Sequence, residues 1–259
     1  MNLNNDIFKA DCIHLKNENY LHIIQIDEIN VRIKKFIDDN ISKICNGDID
    51  ENISITKQEI INFLETKKKS NTEKGAIAEF FIHLYLNQKG FNQEFLYLNL
   101  EEKSIKKGFD GYYTFNNKEW VYESKSSSIS TKNTSHNANV SEAYNDLKNK
   151  ISGNSTSKNN PWKNAWQHAR IVNTEKDVLN NIKKLSDSYV KGIYHKIDDF
   201  NIIPSSTIFL ENTFIKNDSI ELKKKIESLI TRYAFKNMNI ICLNKKSVNL
   251  FWEYLKKNN

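Results

Sequence analysis

One hairpin constrains this 259-residue chain more than any other segment. In "GFDGYYTFNNKEWVYESKS", residues 108–126, two runs rich in aromatic residues flank Asn116-Asn117. Asparagine tolerates positive φ at little cost, so this pair suits a two-residue type I′ turn. Such a turn sets the register: Phe115 faces Lys118, Tyr113 pairs with Trp120, and Tyr122 covers Gly111. Asp110 then lies directly across from Glu123, with Cβ atoms about 4.5–5.5 Å apart. Lys125 is two residues beyond Glu123 and shares its face. Its cross-strand partner is Gly108, which has no side chain to obstruct it. One face of the hairpin therefore reads as aromatic packing, the other as two acids with a lysine beside them.

Opposed carboxylates repel and destabilise a hairpin, so something should offset them. A divalent cation is the natural candidate, since Mg²⁺ binds through one or two carboxylates plus waters and substrate phosphate. The lysine can then orient or deprotonate a water, or neutralise charge developing on phosphate. A third acid fits this pattern. "EKGAIAEFFIHLYLNQKG", residues 73–90, is apolar almost all round and predicts a buried helix stopped by Gly90. Within it Gly75, Glu79 and His83 are four apart and form one stripe. A helical Glu79 amid Ile77, Phe80 and Phe81 needs a partner, because an unpaired buried charge is costly. His83 reads as a packing histidine.

The remaining segments alternate between strand and helix patterns, which argues for an α/β or α+β core. "DCIHLK" and "YLHIIQID" predict strands, and "EINVRIKKFIDDNISKIC" and "TKQEIINFLETKKK" predict helices, the second with Thr56 as N-cap. "EFLYLNL" predicts a strand before the hairpin. The polar stretch 126–139 reads as a loop, either an ordinary disordered one or one whose serines and Lys132 could meet phosphate. "VSEAYNDLKNKI" reads as a helix and "SGNSTSKNNP" as a flexible link. "WKNAWQHARIVNTEKDVLNNIKKL" predicts one long helix or two. Strand, helix, strand and helix follow in "STIFLEN", "SIELKKKIESLITRYAF", "NIICLN" and "KSVNLFWEYLKK". The expected division is an N-terminal region of unknown role, 1–70, and a domain over 71–259.

Composition excludes several classes. No apolar run approaches the roughly 20 residues that span a bilayer. "MNLNNDIFKADC" lacks a basic-then-apolar signal pattern, so a cytoplasmic protein is expected. Cys12, Cys45 and Cys242 have no metal-ligand spacing and read as buried free thiols. The net charge of +6 is compatible with nucleic acid. Only Arg32, Arg170 and Arg232 are arginine, which argues against a sequence-specific reader of guanine. No ATP-binding G-x-x-x-x-G-K-[ST] loop is present. His136 and His168 read as surface residues, Trp162 and Trp166 as core, and "KKK" at 67–69 as a solvated helix end.

Glu79 in "GAIAE", Asp110 in "GFDG", and Glu123 with Lys125 in "ESK" resemble the PD-(D/E)XK nuclease superfamily in residue type and order. The resemblance spans about residues 73–150, and extends to 243 if the later strands complete the sheet. It implies a restriction-endonuclease-like core flanked by helices, with an N-terminal extension. It implies cleavage of phosphodiester bonds with Mg²⁺ or Mn²⁺, with Asp110, Glu123 and Glu79 as metal ligands and Lys125 as the catalytic lysine. Phe109 departs from the family's proline before the first acid, and Gln167 in "AWQHA" resembles a downstream glutamine of some branches. At a finer level "KGAIAEFF", "KKGFDGYY" and "WVYESKS" look like the nuclease subunit of Hachiman-type anti-phage systems. That likeness implies DNA as substrate and a helicase subunit as partner. A single Glu-x-Lys tripeptide carries little weight in a chain rich in both residues; the register and Glu79 supply the rest. The alternatives are a non-catalytic nucleic-acid-binding subunit that keeps the nuclease fold, and an interaction subunit whose partner supplies the chemistry.

Overall fold

The computed structural model describes residues 7–47, 52–98, 108–156, 159–211 and 218–257. The start of the expected signal-free N-terminus, the last two residues of "EFLYLNL", Lys106 and Lys107, two residues of the 152–161 link, and Asn212 lie outside them. Strands and helices alternate as the patterning predicts, and the fold is mixed α/β. Its elements run β1 (Lys9–His14), β2 (Tyr20–Ile26), α1 (Val31–Asn46), α2 (Ile53–Glu65), α3 (Asn71–Gln88), β3 (Asn92–Gln93), β4 (Gly111–Phe115), β5 (Lys118–Ser128) and α4 (His136–Ile151). They continue with α5 (Pro161–Ile171), α6 (Lys176–Val190), β6 (Asn201–Phe209), α7 (Ser219–Ile230), β7 (Asn237–Lys245) and α8 (Asn249–Lys256).

The strands form one seven-stranded sheet in the order β1-β2-β7-β6-β5-β4-β3. Its centre, β2-β7-β6-β5, is parallel, and both flanks are antiparallel. Central parallel strands are buried on both faces, and alternate residues of each strand feed two cores. Ile241 and Leu243 join Tyr113, Trp120 and Tyr122 under α1, α2, α3 and α8. Met238, Ile240 and Cys242 join Tyr112 and Val121 under α4, α5, α6 and α7. The strands of residues 1–70 belong to this same sheet, because β2 pairs directly with β7. Among the described residues no helix is long and apolar enough to cross a membrane.

Four local expectations are corrected. Asn52, not Thr56, caps α2, accepting from the Ser54 N–H at 2.9 Å; Thr56 is buried within the helix. Residues 94–98 of "EFLYLNL" are not a strand: β3 ends at Gln93, the Glu94 N–H still donates to the Tyr112 carbonyl, and Phe95 turns inward to stack on His168. The 126–139 loop is shorter than expected, because β5 runs on to Ser128 and Ser135 caps α4, accepting from the Ala138 N–H. β6 begins at Asn201, upstream of "STIFLEN", and contains Pro204. A proline removes a ladder donor, and pairing with β7 lapses at Ile203 and Pro204 while pairing with β5 continues. The 160–190 pattern resolves into two helices, α5 and α6.

Candidate functional site

The turn forms as its asparagines require, with φ of 49° at Asn116 and 57° at Asn117. Phe115 faces Lys118, Tyr113 faces Trp120 and Gly111 faces Tyr122. Asp110 stands one residue before β4. Its N–H donates to the Tyr122 carbonyl at 3.2 Å, and its Oδ2 accepts from the Ser124 N–H at 2.8 Å. The carboxylate is thus held against the strand that carries Glu123 and Lys125.

Glu123 is buried, with 2% of its surface exposed. Two ammonium groups meet it: Lys125 Nζ lies 3.5 Å from Oε1, and Lys150 Nζ lies 2.6 Å from Oε2. Lys125 is also 2.5 Å from Asp146 Oδ2. Asp146 and Lys150 are four apart on α4, which packs across β5 and β6 through Val140, Ala143, Leu147 and Ile151. The result is an alternating chain of charges, Asp146–Lys125–Glu123–Lys150, with Asp110 close enough to act on Glu123 electrostatically.

The balance at Glu123 favours its neutral form. Burial, then repulsion from Asp110, raise its pKa, while Lys150 and Lys125 pull it down; the outcome is about 7. Burial works against the charge on Lys125, but Glu123, Asp146 and Asp110 together hold its pKa above the usual lysine range. Lys150 is raised as well, by Glu123 and Asp110 against its own burial.

Of the residues singled out in the sequence, Asp110, Glu123 and Lys125 are brought together. Glu79 belongs to α3, which packs against the opposite face of the sheet. Its Oε1 lies 3.3 Å from His83 Nε2, and the other ring nitrogen of His83 meets the Tyr113 hydroxyl. Burial, followed by the charges of Glu79 and Asp110 among others, raises the Tyr113 and Tyr122 hydroxyls well above their ordinary pKa. Asp110 therefore acts on both faces, on Glu123 and on the tyrosines beside Glu79. His83 is a packing histidine, as expected.

His136 is not a surface residue. It is buried at the start of α4, with Nδ1 2.8 Å from Ser206 Oγ and Nε2 3.0 Å from Asn244 Oδ1. Burial lowers its pKa to about 4. His168 is also buried, accepting from the Leu96 N–H at 3.2 Å. Sequence spacing hid both, because their partners come from segments more than 65 residues away. Cys45 and Cys242 are buried, whereas Cys12 is exposed, on β1 at one edge of the described sheet. Gln167 is exposed on α5, Trp162 is fully buried, and Trp166 is partly covered by Arg170. The 126–139 serines serve the fold in part: Ser127 accepts from Asn139 Nδ2, and Ser128 meets Lys74. Lys150 and Asp146 were missed. Their spacing on one helical face was legible, but the helix's return over β5 was not.

Among the described residues no three His, Cys, Asp or Glu side chains are grouped so as to hold a metal. The donor set still suits Mg²⁺ or Mn²⁺, which need only one or two carboxylates when waters and phosphate complete the shell. Asp110 and Glu123 would supply them. No protein-family model matches the chain, and no curated protein matches it.

Proposed function

We propose that this chain is a metal-dependent nuclease that cleaves phosphodiester bonds of DNA. One observation carries the reading: a buried glutamate on β5 has a charged lysine two residues on, and an aspartate from the facing segment accepts from the N–H of Ser124 between them. Asp110 and Glu123 would hold the Mg²⁺ or Mn²⁺, with Glu79 an accessory acid that would have to reach them from the other face of the sheet. The bound metal would polarise the scissile phosphate and lower the pKa of a water. Glu123 must lose its proton to serve as a ligand, so metal affinity rises with pH through about 7 and levels off above it. Lys125 is held as an ammonium by Asp146 and Glu123. That supports its role as a cation on the phosphate rather than as a base toward water. Work in anti-phage defence with a helicase subunit belongs to this proposal on the Hachiman likeness; strand separation would come from that partner.

A second reading is favoured by the ion pairs themselves. A chain of four alternating charges is also what a scaffold could use to dock α4, in a subunit that binds nucleic acid without cutting it. The test is cleavage of plasmid and single-stranded DNA with Mg²⁺ or Mn²⁺, beside the Glu123→Ala, Lys125→Ala double variant. The nuclease reading expects wild-type cleavage that falls by at least about a hundredfold in the variant. Cleavage that survives in the variant removes this site from the reaction. If neither protein cuts, metal-dependent thermal stabilisation of wild type alone supports a gated nuclease, and its absence supports the scaffold.

A further inference from the structure

Lys150 is the residue that no motif accounts for. Its ammonium lies 2.6 Å from Glu123 Oε2, closer than Lys125 Nζ at 3.5 Å from Oε1. The two lysines are held differently. Lys125 projects from β5 and is also paired to Asp146, whereas Lys150 reaches down from the last turn of α4 at the end of a flexible four-carbon stem. The apolar face of α4, Val140, Ala143, Leu147 and Ile151, stays buried however the Lys150 head is placed.

A divalent cation ligated by Glu123 would sit about 2.0–2.1 Å from its oxygen. An ammonium already hydrogen-bonded to Oε2 competes for the same lone pairs and repels the incoming charge. We propose that Lys150 is a positioning residue that occupies the cation position at Glu123 in the metal-free protein and must swing away for a divalent metal to bind. This rests on the nuclease reading above. In the metal-free state the lysine keeps a buried carboxylate from being uncompensated, a condition that is otherwise costly. In the loaded state the displaced ammonium is left beside the site, where the phosphate of a nucleic acid is the complementary charge.

The test is Mn²⁺ binding without DNA, by calorimetry at pH 8, for wild type, Lys150→Met, Lys125→Met and the Lys150→Met, Glu123→Gln double variant. Lys150→Met is expected to bind Mn²⁺ at least about tenfold more tightly than wild type, equivalent to about 1.4 kcal/mol. Lys125→Met should gain less, and the double variant should lose the gain. A purely structural lysine would leave affinity unchanged or weaken it, and either result overturns the proposal. Lys150→Gln, which can still donate to Glu123, gives the same reading if the Met variant folds poorly. If no variant binds Mn²⁺ yet the wild type cleaves DNA, the proposal fails while the nuclease stands. If none binds and none cleaves, both fail.

Discussion

Two lysine–carboxylate clusters in this molecule have opposite electrostatic outcomes. Lys57 of α2 lies 2.8 Å from Asp38 of α1, and the Tyr254 hydroxyl of α8 donates to the same carboxylate at 2.6 Å. The Lys57 ammonium also sits 4.5 Å from the centre of the Tyr254 ring. Burial acts to raise the Asp38 pKa, but bonds from Lys57 and Tyr254 outweigh it, and the carboxyl is held below its ordinary value. Glu123 has two ammonium groups instead of one, yet its pKa rises to about 7. Depth and company explain the difference. Asp38 keeps 28% of its side-chain surface in water, whereas Glu123 keeps 3% and is repelled by Asp110. The first pair holds three helices together. The second contains a carboxylate whose burial and facing acid outweigh the two ammonium groups that meet it.

Three experiments sharpen or break this comparison. The largest effect is expected from Asp38→Ala, which strands the Lys57 charge and the Tyr254 hydroxyl among α1, α2 and α8. It should cost about 4 kcal/mol in urea unfolding; a loss under about 1 kcal/mol would show that the pair is ornamental. Glu123→Gln should behave in the other direction. A carboxyl whose folded pKa exceeds its unfolded value binds more protons when folded, so ionising it opposes folding as pH rises from about 4.5 to about 7. The Gln variant should therefore gain on wild type across that window, by up to about 3 kcal/mol, and hold the gain above it. A stability difference independent of pH would mean that Glu123 is as well satisfied as Asp38.

The smallest effect concerns the aromatic face of the same hairpin. A Cβ at Gly111 would meet Tyr122 Cδ1 at 2.8 Å, Tyr113 Cε2 at 3.1 Å and His83 Cε1 at 3.3 Å. Gly111→Ala should cost about 2 kcal/mol through overpacking, with no pH dependence between 5 and 8. A pH-dependent loss would show that the two faces are coupled through Asp110 rather than separable.

The histidines show where reading the chain stops. Nothing near His136 in sequence identifies Ser206 or Asn244 as its partners; the parallel β5-β6-β7 arrangement and the docking of α4 bring them together. Pro204 shows a sheet absorbing a residue that cannot donate to the ladder. β6 carries it by giving up pairing with β7 there while retaining β5. Thr56 lost the cap of α2 to Asn52 because the helix starts earlier than its apolar pattern.

What the sequence determined by itself was local and periodic. Asn116-Asn117 specified a turn, the turn specified a register, and the register placed Asp110 beside the Glu123 strand with Lys125 on the same face. The 73–90 segment, apolar almost all round, specified a helix buried on most sides. Only the tertiary structure decided which charges meet across elements. It set Lys150 and Asp146 on Glu123 and Lys125, and it put Glu79 on the helix covering the other face. The physical reason is range: turn geometry and the two-residue period of a strand act over a few residues, whereas an ion pair between a strand and a helix depends on how the whole sheet is covered.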